Sequence, residues 1–303
     1  MTTVNKPILN ALTVDVEDYF QVSAFENQIE RNQWHTFPSR VVNNTHRLLD
    51  LFERHNVKAT FFILGWIAHE YPQLVADIHS QGHELGTHSF WHQLVYQQTP
   101  DEFRNDLRDS IQAIKDASGI RVTSYRAPSF SITSKSEWAL KILSEEGIQI
   151  DSSIYPIYHD RYGMPTSKNG IHQRETGAGS IIEFPPSVLK TQLGNLPISG
   201  GGYFRLYPKR LTSSCIARIN RRGLPYMFYM HPWEVDPEQP KIPNVSATRT
   251  WRHRVNLRTT YAKLEVILSR FEFGTMSEAI RQSTSVTSLQ FEKAKHVSCK
   301  VTL

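Results

Sequence analysis

The sequence has few cysteines and no long apolar run. Among its 303 residues only Cys215 and Cys299 are cysteines, which excludes a disulfide framework and a structural zinc site built from several thiolates. The longest nearly apolar run, residues 59–68, is about half of the roughly 20 residues that a membrane helix needs, so we expect a buried strand there and no membrane span. The N-terminus also lacks the apolar stretch and cleavage site of a signal peptide. These absences favour a cytoplasmic protein.

Neither sign of charge is in strong excess. The chain has 34 basic and 29 acidic residues, a net charge of +5 and a pI near 9.1. Basic residues gather at 209–210, 218–222 and 249–254, but no continuous basic helix or nucleic-acid-binding module accompanies them. We therefore expect a solvated basic surface and no nucleic-acid partner. The hydrophobic content of 39% is sufficient for a sizeable core.

Helix-like and strand-like segments alternate along most of the chain, which predicts parallel strands joined by helices. The expected strands are 8–16, 57–64, 83–87, 122–125 and 148–150, and the expected helices are 41–54, 66–81, 100–118, 134–146 and 259–271. A (β/α) barrel is favoured over an open nucleotide-binding sheet, because no glycine-rich fingerprint follows the first strand. One α/β barrel is expected over residues 1–285, with a C-terminal extension from about 235, followed by a poorly ordered tail at 286–303.

Two groups of polar residues indicate a metal site. Asp15, Glu17 and Asp18 come at the end of the first apolar strand, and His88 and His92 are four residues apart after a later one. Two imidazoles and one carboxylate leave coordination positions open for water and substrate, as in catalytic rather than structural metal sites. The sequence therefore predicts a hydrolase.

Five motifs occur in a fixed order: residues 13–18 (TVDVED), 88–92 (HSFWH), 126–128 (RAP), 151–155 (DSSIY) and 231–234 (HPWE). With them the chain resembles the polysaccharide deacetylases, carbohydrate esterase family 4, also called the NodB-homology group. The resemblance implies a distorted, TIM-like (β/α) barrel with seven parallel strands. Residues 15–25, 200–206 and 231–237 are most similar to the subgroup associated with exosortase and exopolysaccharide gene clusters.

The resemblance implies a divalent cation held by His88, His92 and one carboxylate, with Asp15 as the general base. The family commonly has two adjacent aspartates, but here Val16 follows Asp15, so both Glu17 and Asp18 are candidates for the third ligand. Strand alternation would place Glu17 on the same side as Asp15 and favours it. Zn²⁺ suits these ligand types best, and Co²⁺ or Ni²⁺ could occupy the same site.

Further roles follow from the same resemblance. Arg126 matches the arginine that orients the catalytic aspartate. His231 matches the histidine that protonates the departing amine, and Asp151 matches its carboxylate partner. Ser129 replaces a tyrosine common in the family, although a backbone N–H at this position could still assist the oxyanion.

Aromatic residues near these motifs are candidates for walls on which sugars stack. They are Trp91, Tyr155, Tyr203 and Trp233. The glycine run at 200–202, within residues 199–205, is predicted to form a turn or a rim loop rather than a phosphate cradle.

The expected activity is removal of N-acetyl groups from N-acetylhexosamine units of a polysaccharide or oligosaccharide, in exopolysaccharide biosynthesis. Two alternatives remain open at this point. One is opening of a cyclic amide, as in allantoinase-like barrels, and the other is a catalytically inactive glycan-binding module.

Overall fold

A buried strand lies between two parallel neighbours in the main sheet. The computed structural model describes residues 7–159, 161–192 and 194–284; the predicted tail at 286–303 lies outside them. The strands are β1 (Asn10–Val16), β2 (Thr60–Ile63), β3 (Glu84–Thr87), β4 (Ser124–Tyr125), β5 (Ile150–Asp151), β6 (His172–Glu175), β7 (Ser180–Glu183), β8 (Val188–Thr191), β9 (Gly194–Pro197), β10 (Met227–Met230) and β11 (Phe273–Gly274). Every residue of β1 is buried, as expected for a strand with parallel neighbours and covered faces.

Seven of these strands form a continuous parallel path in the order β10, β1, β2, β3, β4, β5, β7. The strand β6 pairs antiparallel with β7 at one edge, β11 pairs with the beginning of β1, and β8 and β9 form a separate hairpin. The result is a curled, mostly parallel half-barrel with helices. The predicted barrel class is confirmed.

The described helices are α1 (Val41–Arg54), α2 (Gly65–Glu70), α3 (Pro72–Ser80), α4 (Pro100–Ser118), α5 (Trp138–Glu145), α6 (Gly201–Leu206), α7 (Lys209–Asn220), α8 (Ala247–Arg254) and α9 (Leu257–Leu268). Residues 276–284 are also helical. The single helix predicted over 66–81 is two helices, because Pro72 cannot continue the first and instead begins the second. No helix of the described residues is long and apolar enough to cross a membrane.

The predicted loop at 199–205 contains the short helix α6, so that prediction is wrong in part. Its glycines permit a close approach between backbones. A Cβ on Gly200 would lie 1.8 Å from the carbonyl oxygen of Tyr229, and one on Gly201, whose φ is +54°, would lie 2.9 Å from the Tyr229 ring. The glycine run therefore packs the start of α6 against β10.

The strand register explains why distant motifs meet. One line of paired residues crosses the sheet through Val16, Ile63, Thr87, Tyr125, Asp151 and Glu183. The residues that follow this line, Glu17, His88, Arg126 and Ser152, therefore leave the sheet at one edge. This carboxyl edge is where (β/α) barrels carry their active sites.

Candidate metal and catalytic site

A cavity of about 140 Å³ opens at the carboxyl edge of the sheet. Its walls bring together residues from five separate parts of the chain. They include Asp15, Glu17, His88, His92, Ser129, His231 and Trp233. Seven of the thirteen site residues predicted from the sequence thus share one small cavity, whereas Asp18, Trp91, Arg126, Asp151, Tyr155 and Tyr203 are absent from its walls.

Glu17, His88 and His92 have the arrangement of a metal site. One ligand atom from each lies within 4.8 Å of the other two, and all three residues are buried. The Oε2 atom of Glu17 lies 2.7 Å from Nε2 of His92 but makes no aligned hydrogen bond. A buried carboxylate oxygen that accepts no hydrogen bond and lies beside two imidazoles is a suitable ligand for a divalent cation.

The electrostatics of the cluster agree with this fit. Burial lowers the pKa of His88 to about 4, so the ring is neutral, as a metal ligand must be. Its Nδ1 lies 2.8 Å from the carbonyl oxygen of Arg126, which fixes the ring and leaves Nε2 to the cavity. Burial alone would raise the pKa of Glu17, but the His92 and His231 rings hold it well below its usual range.

Asp18 lies outside this cluster. Its Oδ2 accepts hydrogen bonds from the Ser39 hydroxyl at 2.7 Å and from the backbone N–H groups of Arg40 and Val41 at 2.8 and 3.1 Å. The Glu17 N–H donates to the Asp15 carbonyl at 3.0 Å, a tight turn at the strand end. Glu17 then lines the cavity, while Asp18 anchors the start of α1. Of the two candidate ligands, the geometry supports Glu17.

Asp15 is held by a fully buried arginine. Nη1 of Arg126 donates to Oδ1 of Asp15 at 2.6 Å and to the Thr13 hydroxyl at 2.8 Å. Its Nη2 donates to the Ser152 hydroxyl at 2.9 Å, and the guanidinium lies over the Phe62 ring at 4.3 Å. This fixes the Asp15 carboxylate with its other oxygen towards the cavity, which is the orienting function predicted for Arg126.

We expect Arg126→Met to lower the free energy of unfolding by about 3–5 kcal/mol, because it leaves the Asp15 carboxylate buried without its partner. Urea denaturation measures this change. The matched control is Arg54→Met, which removes an exposed ion pair with Glu265 and should cost at most about 1 kcal/mol. Similar losses for the two variants would show that the buried pair has no special structural role.

His231 reaches the cavity from the end of β10. Its Nε2 lies 3.9 Å from Oδ2 of Asp15 and 3.6 Å from Oε1 of Glu17. Its Nδ1 lies 2.6 Å from Oε1 of the buried Glu234, three residues later. Burial alone would lower the pKa of His231, but the Glu17 charge and the hydrogen bond to Glu234 raise it to about 9. Both interactions therefore favour the protonated form of the ring.

Asp151 is not the partner of His231, and the structure corrects that prediction. Its Oδ1 accepts a hydrogen bond from the Ser153 hydroxyl at 2.5 Å, and it pairs with Glu183 on the adjacent strand. Both carboxyl groups are fully buried, and burial raises the pKa of each. Asp151 belongs to a carboxyl pair within the sheet, and the carboxylate in contact with His231 is that of Glu234.

Comparison with known proteins agrees with this geometry. Residues 26–149 match the family model described as polysaccharide deacetylase, and this segment contains His88, His92 and Arg126. Residues 26–149 thus form a polysaccharide deacetylase domain. Residues 152–281 match a second model, a domain of unknown function (DUF3473). Asp15, Glu17 and His231 lie outside the deacetylase match, so their roles rest on the geometry.

Curated relatives of the deacetylase family align with part of the chain. A peptidoglycan-N-acetylglucosamine deacetylase of Bacillus cereus is 34% identical over 84 residues, covering 28% of this chain and 30% of that protein. A peptidoglycan-N-acetylmuramic acid deacetylase of Bacillus subtilis is 29% identical over 124 residues, covering 41% of this chain and 46% of that protein. The alignments thus span less than half of these relatives' length.

Solved structures support the fold. A Mycobacterium smegmatis protein described as a polysaccharide deacetylase superposes with a TM-score of 0.58 at 18% identity, covering 95% of this chain and 94% of that one. The peptidoglycan deacetylase PdaC from Bacillus subtilis gives a TM-score of 0.50 at 14% identity, covering 95% and 98%. At such identities the likeness shows the barrel of the deacetylases.

The aromatic residues predicted to stack on sugars have different environments. Tyr155 is completely buried, so it cannot contact a glycan, and that prediction is wrong. Trp91 is 39% exposed but lies outside the cavity walls. Tyr203 lines a neighbouring cavity. Trp233 lines the site itself, where its indole N–H donates to Oε1 of Glu17 at 3.2 Å and its ring stacks on His231.

Ser129 lies at the mouth of the cavity in a left-handed conformation, with φ of 51°. Its hydroxyl is 2.7 Å from that of Ser23, another cavity residue. The sequence prediction does not include Ser23 or Glu234. A signal for Glu234 is present, because a carboxylate three residues after His231 can meet its ring in one helical turn, whereas nothing in the sequence indicates Ser23.

The two acidic partners considered for His231 can be compared directly. We expect Glu234→Gln to lower kcat about 10- to 100-fold with little change in KM, since the amide cannot hold the protonated ring as a carboxylate does. Asp151→Asn should leave both constants within about twofold, because its hydrogen-bond partners Ser153 and Glu183 do not line the cavity. Steady-state kinetics with an N-acetylated oligosaccharide measures both. A larger kcat loss in Asp151→Asn would return the partner role to Asp151.

Proposed function

We propose that the protein is a metal-dependent hydrolase that removes N-acetyl groups from N-acetylhexosamine units of a polysaccharide. The observation that carries the proposal is the single cavity that holds Glu17, His88 and His92 beside an oriented carboxylate and a protonated imidazole. A bound divalent cation, Zn²⁺ by ligand type, would lower the pKa of water from 15.7 towards about 7 and polarise the acetamide carbonyl.

Asp15 acts as the general base. Arg126 donates a hydrogen bond to one of its carboxylate oxygens. The other oxygen faces the cavity, where it can accept the proton of the attacking water. The guanidinium keeps the carboxylate from rotating, so its geometry is set before substrate binds.

His231 acts as the general acid. Its hydrogen bond to Glu234 favours the protonated ring, and its Nε2 faces the same space as Asp15. Collapse of the tetrahedral adduct requires protonation of the departing nitrogen, and this ring can supply that proton. Glu234 fixes the ring through Nδ1, and Trp233 supports its face.

The substrate class follows from relatives and from the second half of the chain. The relatives described above are named for N-acetylglucosamine and N-acetylmuramic acid units of peptidoglycan. We propose instead that the substrate is an exopolysaccharide or its lipid-linked precursor. The support is the resemblance to the exosortase-associated subgroup at residues 15–25, 200–206 and 231–237. The match of residues 152–281 to DUF3473 is consistent with that subgroup.

Acetate release tests the proposal. Zinc-loaded protein is incubated with N-acetylglucosamine oligomers, and freed acetate is measured beside His88→Ala and the exposed-histidine control His69→Ala. We expect release from the parent and from His69→Ala, and none from His88→Ala. Glycan binding without acetate from any acetylated oligomer, under Zn²⁺, Co²⁺ or Ni²⁺, would contradict the proposal and support a binding module.

A further inference from the structure

A second, larger cavity adjoins the site. Its volume is about 440 Å³, and it shares Tyr162 and Tyr229 with the catalytic cavity as common walls. Because the two cavities share these rings, a glycan whose acetamido sugar occupies the first cavity can place a neighbouring sugar in the second. The cavity belongs to the part of the chain matched by DUF3473.

The walls of this cavity suit a sugar ring. Trp251 on α8 is 59% exposed, Leu206 at the end of α6 is 48% exposed, and Tyr203 is half-buried beside them. Large exposed apolar side chains grouped in a concavity are typical of a binding surface. Flat aromatic faces next to polar groups are a common means of holding carbohydrate rings.

The described walls of the cavity include two arginines. Among the described residues, its lining includes Arg205 and Arg252 and no acidic side chain. Arg205 is buried, its Nη1 donates to the carbonyl oxygens of residues 252, 253 and 255, and its Nε faces Glu234 at 3.7 Å. Within residues 7–159, 161–192 and 194–284, the exposed guanidinium of Arg252 has no hydrogen-bond or ion-pair partner.

We propose that this cavity is a subsite for an acidic group on the sugar next to the N-acetylated one. The inference rests on the proposed deacetylase function and narrows its substrate to an anionic glycan. Arg252 binds the anion, since a guanidinium matches the two oxygens of a carboxylate or phosphate, and Trp251 supports the ring that carries it.

Binding is measured by calorimetry on the zinc-loaded Asp15→Asn protein, which holds substrate without turnover. The probes are a neutral N-acetylglucosamine tetramer, an alternating tetrasaccharide of N-acetylglucosamine and glucuronic acid, and the neutral tetramer bearing a phosphate monoester. We expect one or both acidic probes to bind about tenfold more tightly than the neutral one, the scale of one charge-assisted contact. Which of them does so distinguishes a carboxylate from a phosphate.

Variants of Arg252 decide whether it causes the preference. Arg252→Gln should remove the preference, and Arg252→Glu should invert it, while the exposed-arginine control Arg222→Gln should retain it. In the enzyme with Asp15 intact, Arg252→Gln should raise KM for the preferred acidic probe about tenfold with kcat unchanged. Equal affinity for all three probes, or the same result for Arg252→Gln and Arg222→Gln, would overturn the subsite.

Different experimental results would contradict the subsite and the proposed deacetylase function. Acetate release from the neutral tetramer without any acidic preference would overturn the subsite and leave the deacetylase function standing. Arg252-dependent binding of an acidic probe with no acetate release from any glycan would overturn the function and leave the subsite standing.

Discussion

Replacing Asp15 with asparagine is expected to lower acetate release by about 100- to 10 000-fold, the range for loss of a general base. Asparagine has nearly the same shape and can still accept the Arg126 hydrogen bond through its amide oxygen, so the fold should persist. Glu17, His88 and His92 are untouched, so bound metal should remain at the stoichiometry of the parent. Acetate assays and metal analysis of the same preparation measure both quantities.

The control for this experiment is Asp50→Asn, which makes the same chemical change at an exposed position of α1. It should retain full activity. If Asp15→Asn kept activity close to that of the parent protein, Asp15 would not be the base. If the variant lost its metal, its inactivity would reflect a damaged metal site and the base assignment would lose its support.

Glu17→Gln is expected to abolish activity by a different route. The amide is a much weaker ligand than the carboxylate, so metal affinity should fall by more than the roughly 10- to 100-fold typical of losing an outer partner of a ligand. Because Glu17 is also close to His231 and bound by Trp233, little activity should return even at high zinc. Metal titration against a chelator gives the affinity.

A variant of the adjacent residue, Asp18→Ala, distinguishes an effect on metal binding from an effect on stability. It should keep the metal and lower the free energy of unfolding by about 0.5–2 kcal/mol, as for loss of a helix cap, because Asp18 accepts the first N–H groups of α1. The opposite result, with metal lost in Asp18→Ala and kept in Glu17→Gln, would reverse the ligand assignment.

Much of the fold is predictable from local patterns. The apolar run before Asp15 is β1, and parallel pairing brings the residues after β1, β3 and β4 to one edge. That pattern is sufficient to group Asp15, His88 and Arg126 from the sequence alone. Alternation also favours Glu17 over Asp18, although the decisive feature is the tight turn at residue 15, which no periodicity encodes.

Other features depend on tertiary contacts. The direction of Asp151 is set by its pairing with Glu183 on β7, a short strand that is absent from the predicted set. The helix α8 is absent from the sequence prediction because its segment is strongly polar, with a single buried residue, His253. Tyr155 looks like a binding aromatic in its motif, but it packs against Phe130 and Tyr229 in the core. Sequence patterns do not report such packing.

Anomalous scattering locates the cation independently of activity. Crystals of the full chain equilibrated with zinc would be measured on both sides of the zinc absorption edge. The structure predicts one strong peak bounded by Glu17, His88 and His92, with ligand distances of about 2.0–2.2 Å. A peak at Asp18 or elsewhere, or no peak in the cavity at saturating zinc, would contradict the account.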